Sequence, residues 1–277
     1  VVIRLSPLNQ RRWRNFRRNG RAFWSLILFS VIFTVTLFAE FVANDKPILV
    51  QYRGEFYAPI FRFYPETAFG GDFQTEAIYR DPEVQCLIAS GGLDICFDDP
   101  EGVIADAEDG VVDGEEIMAG WAIWPLIPYS YDTTVDRPGA APLPPNAQNW
   151  LGTDDQGRDV AAGLIYGFRI SVLFGLMLTL FSSIVGIIVG AIQGYYGGWL
   201  DLAGQRFLEI WSSMPTLFLI IIISSFVTPS FWILLIIMLL FSWMTLVDLV
   251  RAEFLRCRNM DYVRAAHAMG VRTPVIM

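Results

Sequence analysis

Four nearly uncharged apolar windows, each long enough to cross a lipid bilayer, constrain this chain more than any other feature. A hydrocarbon core of about 30 Å takes about 20 helical residues at 1.5 Å each. The first window runs from about Phe23 to Val42, FWSLILFSVIFTVTLFAEFV, and the second from about Ile170 to Gln193. The third covers about Phe207 to Thr228, interrupted by Pro215, and the fourth about Phe231 to Val250. One such window also suits a buried helix of a soluble domain, but four together predict an all-α polytopic membrane protein. The first is not a cleavable signal, because its apolar run is too long and no small-residue cleavage site follows FVANDKP.

Basic residues predict the orientation. Arg4, Arg11, Arg12, Arg14, Arg17, Arg18 and Arg21 precede the first window with no acid among them, which places the N-terminus in the cytoplasm. Arg251, Arg256, Arg258, Arg264 and Arg272 follow the fourth window against only Glu253 and Asp261. Four crossings return the chain to its starting side, so the two basic ends agree. The segment between the first two windows is then external, and from Asn44 to Asn149 it holds 19 acidic and 5 basic residues. Its balance of -14 exceeds the chain's formal -8, so the negative charge resides outside the cytoplasm, and the basic footprint of a nucleic-acid binder is absent. The expected organisation is a basic cytoplasmic N-terminus at 1–22, a first transmembrane helix at 23–43, an acidic external insert at 44–149 and a membrane core at 150–277. That core ends in a cytoplasmic loop at 251–277.

Within the insert, PILVQYRGEFYAPIFRFYP sets two β-prone runs on either side of Arg53-Gly54, the pattern of a hairpin. The run DDPEGVIADAEDGVVDGEE resembles a calcium loop only faintly: with Gly110 as its central glycine, Ala105 and Ala107 stand where carboxylates are needed. A solvated acidic loop is the expectation for this stretch, about residues 98–116. A Cys86–Cys96 disulfide is chemically permitted on the oxidising side of a membrane, whereas Cys257 falls in the reducing cytoplasm. RPGAAPLPPNAQN is a Pro-rich connector back to the membrane.

The next stretch, NWLGTDDQGRDVAAGLIYGFRISVLFG, holds Gly152, Thr153, Asp154, Asp155, Gly157, Arg158 and Asp159. Thr153 is expected to cap a short helix, with Asp154 and Asp155 in its first turn. In GYYGGWLDLAGQR the glycines suit a turn, and Tyr195, Tyr196 and Trp199 suit a membrane interface. Met214-Pro215 predicts either a kinked third span or a helix that starts only after Pro215. Glu40, Glu209 and Asp248 lie toward the ends of their windows, which favours interfacial placement over a proton relay.

Several chemistries are excluded. The only lysine is Lys46, so no Walker phosphate loop exists on this chain. A single histidine rules out HExxH, no GxSxG elbow appears, and no cysteines fall at metal spacing. No catalytic residue or metal site is expected, and no cofactor on this chain.

The closing stretch YVRAAHAMGVRTPVIM reads as a short helix. Tyr262, Ala265, Ala266 and Met269 share one face, small at its centre and larger at its rim. Asn259 or Asp261 can cap its start and Gly270 its end. An alanine-centred face lets another surface approach closely; an ordinary amphipathic helix on the membrane is the plainer alternative.

YVRAAHAMGV resembles the EAA loop of ABC importer permeases through Ala265, Ala266 and Gly270, with Arg264 where that family commonly has glutamate. WLGTDDQGRDVAAGLIYGFRISVLFG, GYYGGWLD and the Pro215 region are similar to the dipeptide and oligopeptide branch of these permeases. ANDKPILVQYRGEFYAP, FGGDF and SPLNQRRWRNFRRN resemble its Yej-type group, linked to peptide and microcin C import.

The resemblance implies a MetI-like permease fold in the bacterial inner membrane. It also implies a second permease subunit, a separate cytoplasmic ATPase that carries ATP and magnesium, and a periplasmic peptide-binding protein. It assigns Asp261, Tyr262, Arg264, Ala265, Ala266, His267, Met269 and Gly270 to an ATPase-coupling helix, Met214 and Pro215 to the translocation path, and residues Gly152 to Asp159 to a periplasmic entry motif. At least two further spans would follow Met277. The alternative from another class is a membrane-anchored sensor or receptor whose acidic external domain binds a ligand.

Overall fold

A computed structural model describes residues 6–107, 111–112, 115–135, 137–228 and 230–276, which fall into two compact units, Val1–Ile170 and Ser171–Met277. The first unit begins with helix α1 (Pro7–Arg18), started by Ser6, whose Oγ accepts from the Asn9 amide at 3.4 Å. Pro7 suits the first helical position because its missing N–H would have had no partner there. Asn19 stops α1 and caps α2 (Gly20–Leu37), which a one-turn helix α3 (Ala39–Val42) extends. Together α2 and α3 cover the first apolar window.

The expected hairpin is present as β1 (Leu49–Tyr52) and β2 (Glu55–Tyr57), with Val50 opposite Tyr57. Arg53 and Gly54 both take positive φ, 49° and 83°, as the tight turn of a right-twisted hairpin requires. Two further helices follow, α4 (Pro82–Ser90) and α5 (Pro100–Ala107). The short strands β3 (Val111–Val112) and β4 (Glu115–Glu116) pair with each other, and β5 (Trp121–Ile123) joins the other edge of β1 in the order β2-β1-β5.

The acidic stretch is therefore not a loop throughout. Val103 and Ala107 on α5 are buried with Cys86, Leu87 and Cys96, and burial of this apolar edge outweighs the helix's acidic composition. Gly110, the centre of the calcium-loop alignment, lies outside the described residues. Cys86 and Cys96 are joined in a disulfide. On its other edge α4 sends Val84 and Ile88 into a second cluster with Val50, Tyr52, Phe69 and Tyr79. Each such fully buried side chain contributes about 1.5–3 kcal/mol. Burial also pushes the Tyr79 phenol well above its ordinary value.

A third cluster ties the first span to the next: Ala39, Ala43, Ile127, Tyr129, Val135, Ala161, Ala162 and Tyr166. Tyr166 belongs to α6 (Val160–Tyr196). Its hydroxyl meets the Glu40 carboxylate and donates to the Ala43 carbonyl at 2.8 Å, while Arg169 donates twice to Glu40 at 3.2 Å. Glu40 is thus an ion-paired clasp at the end of the first window.

In the second unit α6 runs on to Tyr196 and is followed by α7 (Gly198–Ser212), α8 (Thr216–Phe226), α9 (Phe231–Ser242) and α10 (Met244–Cys257). Gly20–Leu37, Val160–Tyr196 and Phe231–Cys257 are each long and apolar enough to span a membrane. α7 and α8 make a fourth span if counted together, bent by 66°. Helix precedes Pro215 as well as following it, so the third window is kinked rather than late in starting. Proline cannot donate to the preceding turn and drives Met214 away from helical geometry. The carbonyls freed by the break find side chains: Ser212 Oγ donates to Glu209 at 3.2 Å and Ser213 Oγ to Ile210 at 2.6 Å.

The second window is longer than expected at both ends, and the fourth runs past Val250 to Cys257. What holds them together is a glycine stripe. A methyl group added at Gly186 would lie 2.9 Å from the Trp243 carbonyl oxygen, at Gly190 2.8 Å from that of Val247, and at Gly194 2.6 Å from that of Arg251. Those distances are shorter than real methyl contacts, so α6 and α10 approach backbone to backbone, the packing that small residues four apart allow.

Candidate functional site

Two of the predicted residue groups form defined sites. The first is the terminal helix α11 (Asp261–Ala268). Met260, in extended conformation, occupies the position before it, and no side chain caps its start. This corrects the expected cap: Asp261 already lies in the first turn, where its charge favours the helix dipole, and Asn259 donates instead to the Leu255 carbonyl at 3.2 Å. The predicted stop at Gly270 is present, with φ 76°. The Val271 amide donates to Ala266 at 3.1 Å and the Gly270 amide to His267 at 3.0 Å, the paired bonds of a glycine-terminated helix.

The faces of α11 are unequal. Val263 is buried, and His267 one turn on shares a 2.7 Å hydrogen bond between its Nε2 and the Tyr195 hydroxyl. The two rings also stack, with centroids 6.3 Å apart and planes within 14°. Tyr262 is 65% and Met269 76% exposed; Ala265 is exposed and Ala266 half-buried. The helix is therefore held by its Val263–His267 edge and turns Tyr262, Ala265 and Met269 outward, with half-buried Ala266 at the border between the two. Arg264 is exposed as well, with Asp261 beside it at the first turn.

The support under this helix is the C-terminal end of α6. Arg258 Nη1 donates to the Gly194 and Tyr195 carbonyls at 3.4 and 3.3 Å. These carbonyls have no partner within the helix, and a guanidinium satisfies both them and the negative end of the dipole. One turn into α7, Asp201 pairs with both Nε and Nη2 of Arg251, the latter at 2.8 Å. Gln205 donates to Gln193 at 3.2 Å and to Asp248 at 3.4 Å. Sequence reasoning singled out neither Arg258 nor the Asp201–Arg251 pair, and it did not use the Gly186, Gly190, Gly194 spacing. That spacing was visible in SIVGIIVGAIQGYY and was the signal to follow.

The second site is the turn from Gly152 to Asp159. The expected cap is wrong in position: α6 begins at Val160, and Asp159, not Thr153, accepts from the Ala162 amide at 2.8 Å. Asp159 and Asn149 are both buried, and Asn149 Nδ2 donates to the other Asp159 oxygen at 2.9 Å. Thr153 is buried in the turn, with Oγ1 accepting from the Leu143 amide at 2.8 Å. Asp154 closes the loop on itself by accepting from the Gln156 and Arg158 amides at 2.9 and 2.8 Å. Gly152 and Gly157 take φ of 73° and 79°, which those tight turns demand of them. Asp155 alone of the acids is exposed. A carboxylate survives as the cap because only the residue just before the helix can reach its third amide.

Met214 and Pro215 sit at the bend between α7 and α8 and are exposed, while Cys86 and Cys96 lie within the insert. Residues 182–277 match the family described as binding-protein-dependent transport system inner membrane component. Residues 6–59 match the N-terminal TM domain of oligopeptide transport permease C. Over 273 residues the chain is 49% identical to the inner membrane ABC transporter permease protein YejE of Escherichia coli K12, an alignment covering 98% of this chain and 71% of that one. The chain belongs to the ABC transporter permease family.

The permease is also 47% identical over 298 residues to the peptidoglycan transport system permease protein YejE of Agrobacterium fabrum C58, with 98% and 70% of the two chains covered. It is 34% identical over 131 residues to the dipeptide transport system permease protein DppC of Bacillus subtilis 168, with 47% and 41% covered. Its class is thus the MetI-like all-α membrane permease carrying a small-sheet insert, a multi-pass inner-membrane subunit. The matched family region takes in the end of α6, the α7–α8 bend, α9, α10 and α11.

Proposed function

We propose that this permease forms, with a second permease subunit, a path for peptides across the bacterial inner membrane, and that a separate cytoplasmic ATPase drives it through α11. ATP and magnesium belong to that ATPase. One observation carries the reading: α11 is fixed along its Val263–His267 edge, while Tyr262, Ala265 and Met269 on the face beside it are exposed. A short rigid helix held on one side and open on the other is suited to receive a push and pass it to α6 and α10. Movement of the ATPases would then bias the spans between two arrangements that open the path to opposite sides.

The basic N-terminus and basic C-terminal loop support placing both in the cytoplasm, which leaves the acidic insert facing the periplasm. There it is suited to meet a peptide-binding protein. The dipeptide and peptidoglycan systems named for the relatives support oligopeptides as cargo, and the Yej-type resemblance of the sequence adds a peptide antibiotic such as microcin C.

The test is ATP-driven peptide uptake by the assembled importer. Ala266→Arg places a long charged side chain at the half-buried edge of the exposed face and should abolish uptake through a clash and a buried unpaired charge. Ala268→Arg, exposed outside that face, should keep it. Normal uptake by Ala266→Arg at normal expression would contradict docking through α11.

A further inference from the structure

Helix α1 has an apolar face and an arginine face, and Phe16 apart, the side chains named on both are exposed among the described residues. At 100° per residue Leu8, Asn9, Arg12, Trp13 and Phe16 fall within one 140° arc. Arg11, Arg14, Arg17 and Arg18 lie on the other side. Leu8 is 59% and Trp13 50% exposed. Between Asn9, Arg12, Trp13, Phe16 and Leu26 of α2 is an apolar depression of about 440 Å³. Arg12 therefore sets a guanidinium at the rim of an apolar hollow. No carboxylate among the described residues pairs with Arg11, Arg12, Arg14, Arg17, Arg18 or Arg21.

The helix is also held beside a membrane-spanning segment. Asn19 breaks the chain between α1 and α2, with φ -82° and ψ 86°, and its side chain starts α2 anew. Phe16 meets Phe23 edge-on at 6.2 Å, and the Arg17 guanidinium lies 5.7 Å from the Phe23 ring. This junction brings α1 to the end of a span by direct continuity, which settles what surface it meets.

We propose that α1 is an anionic-lipid site: it lies in the bilayer interface, takes a phospholipid into the Arg12–Trp13–Phe16–Leu26 depression and sets its other arginines among acidic headgroups. The occupant must offer an acyl chain and a phosphate together, since the hollow is apolar and its rim cationic. Phospholipid meets both demands at the depth where α2 enters the membrane. The assignment does not depend on the transported cargo or on α11.

The experiment uses the full chain with Cys257→Ser in lipid nanodiscs, spin-labelled at Asn9→Cys on the apolar face or at Arg14→Cys opposite. In discs containing phosphatidylglycerol, the Asn9 label should gain oxygen accessibility and lose access to an aqueous relaxation reagent, while the Arg14 label stays wet. In phosphatidylcholine alone the Asn9 label should become wetter. Arg12→Gln should lower the docking equilibrium about fivefold in the phosphatidylglycerol discs, as loss of one interfacial arginine predicts. Equal accessibility at Asn9 in the two lipids would overturn the proposal. So would protection of Asn9 that arises only when a second permease subunit is added, which would make the hollow a protein interface.

Discussion

The Tyr195 hydroxyl and His267 Nε2 lie 2.7 Å apart, joining the last turn of α6 to the last turn of α11. This contact gives His267 a positional role that its sequence context did not suggest. With Arg258 on the Gly194 and Tyr195 carbonyls, it forms the connection between the exposed alanine face and the spans. Tyr195→Phe removes only the hydroxyl and should cost about 1 kcal/mol at this partly solvated bond. The expected result is a lower yield of peptide transported per ATP hydrolysed by an importer that still assembles; His267→Gln, which keeps a hydrogen-bonding group, should retain more of that yield than His267→Ala. An unchanged transport-to-hydrolysis ratio in Tyr195→Phe would remove this role.

Close approach of α6 to α10 predicts a sharp contrast among glycines. Gly190→Leu should destabilise the membrane core by about 1–3 kcal/mol, because the added side chain meets the Val247 backbone and Val250. Gly175→Ala, with nothing near its new methyl group, should stay within about 1 kcal/mol of the parent. Thermal unfolding in one detergent compares the two, and equal melting points would disprove the backbone-to-backbone seam.

The insert's disulfide closes a loop with a sequence separation of 10. Constraint of the unfolded chain by so short a loop predicts a loss of about 3 kcal/mol in the Cys86→Ser, Cys96→Ser double variant. Limited proteolysis is the measurement: cleavage near α4 and α5 should rise in the variant and in reductant-treated parent alike, and resistance in both would show that apolar burial alone suffices.

At the start of α6 the prediction separates two neighbouring acids. Asp159→Ala removes the helix cap and the partner of buried Asn149, an expected loss of about 2 kcal/mol or more. Asp155→Ala, at an exposed site, should change stability by no more than about 0.5 kcal/mol. Melting temperatures ordered the other way would restore the sequence-based cap near Thr153.

Much of the architecture was legible in composition and spacing. Apolar runs about 20 residues long mark spans because the lipid core leaves few other ways to satisfy a backbone, and Pro215 marks a bend because it lacks an N–H. Arg53-Gly54 foretold the hairpin turn, and Gly270 the end of α11. Helix starts were harder to place: Asp154, Asp155 and Asp159 are the same residue type in one short stretch, and which of them caps depends on where the first turn forms. The acidic run around α5 was misread as loop because its charges dominate the composition, while Val103 and Ala107, with Ile104 packed beside them, decide its burial.

Sequence by itself determined the membrane class, the family and the glycine, proline and arginine positions at which the chain turns, since these follow from local backbone chemistry and from transfer between water and lipid. Tertiary structure alone decided which distant groups meet: Tyr166 with Glu40, Arg251 with Asp201 and Tyr195 with His267. Such partners lie up to 126 residues apart, and their pairing depends on how rigid helices dock, which no local preference encodes.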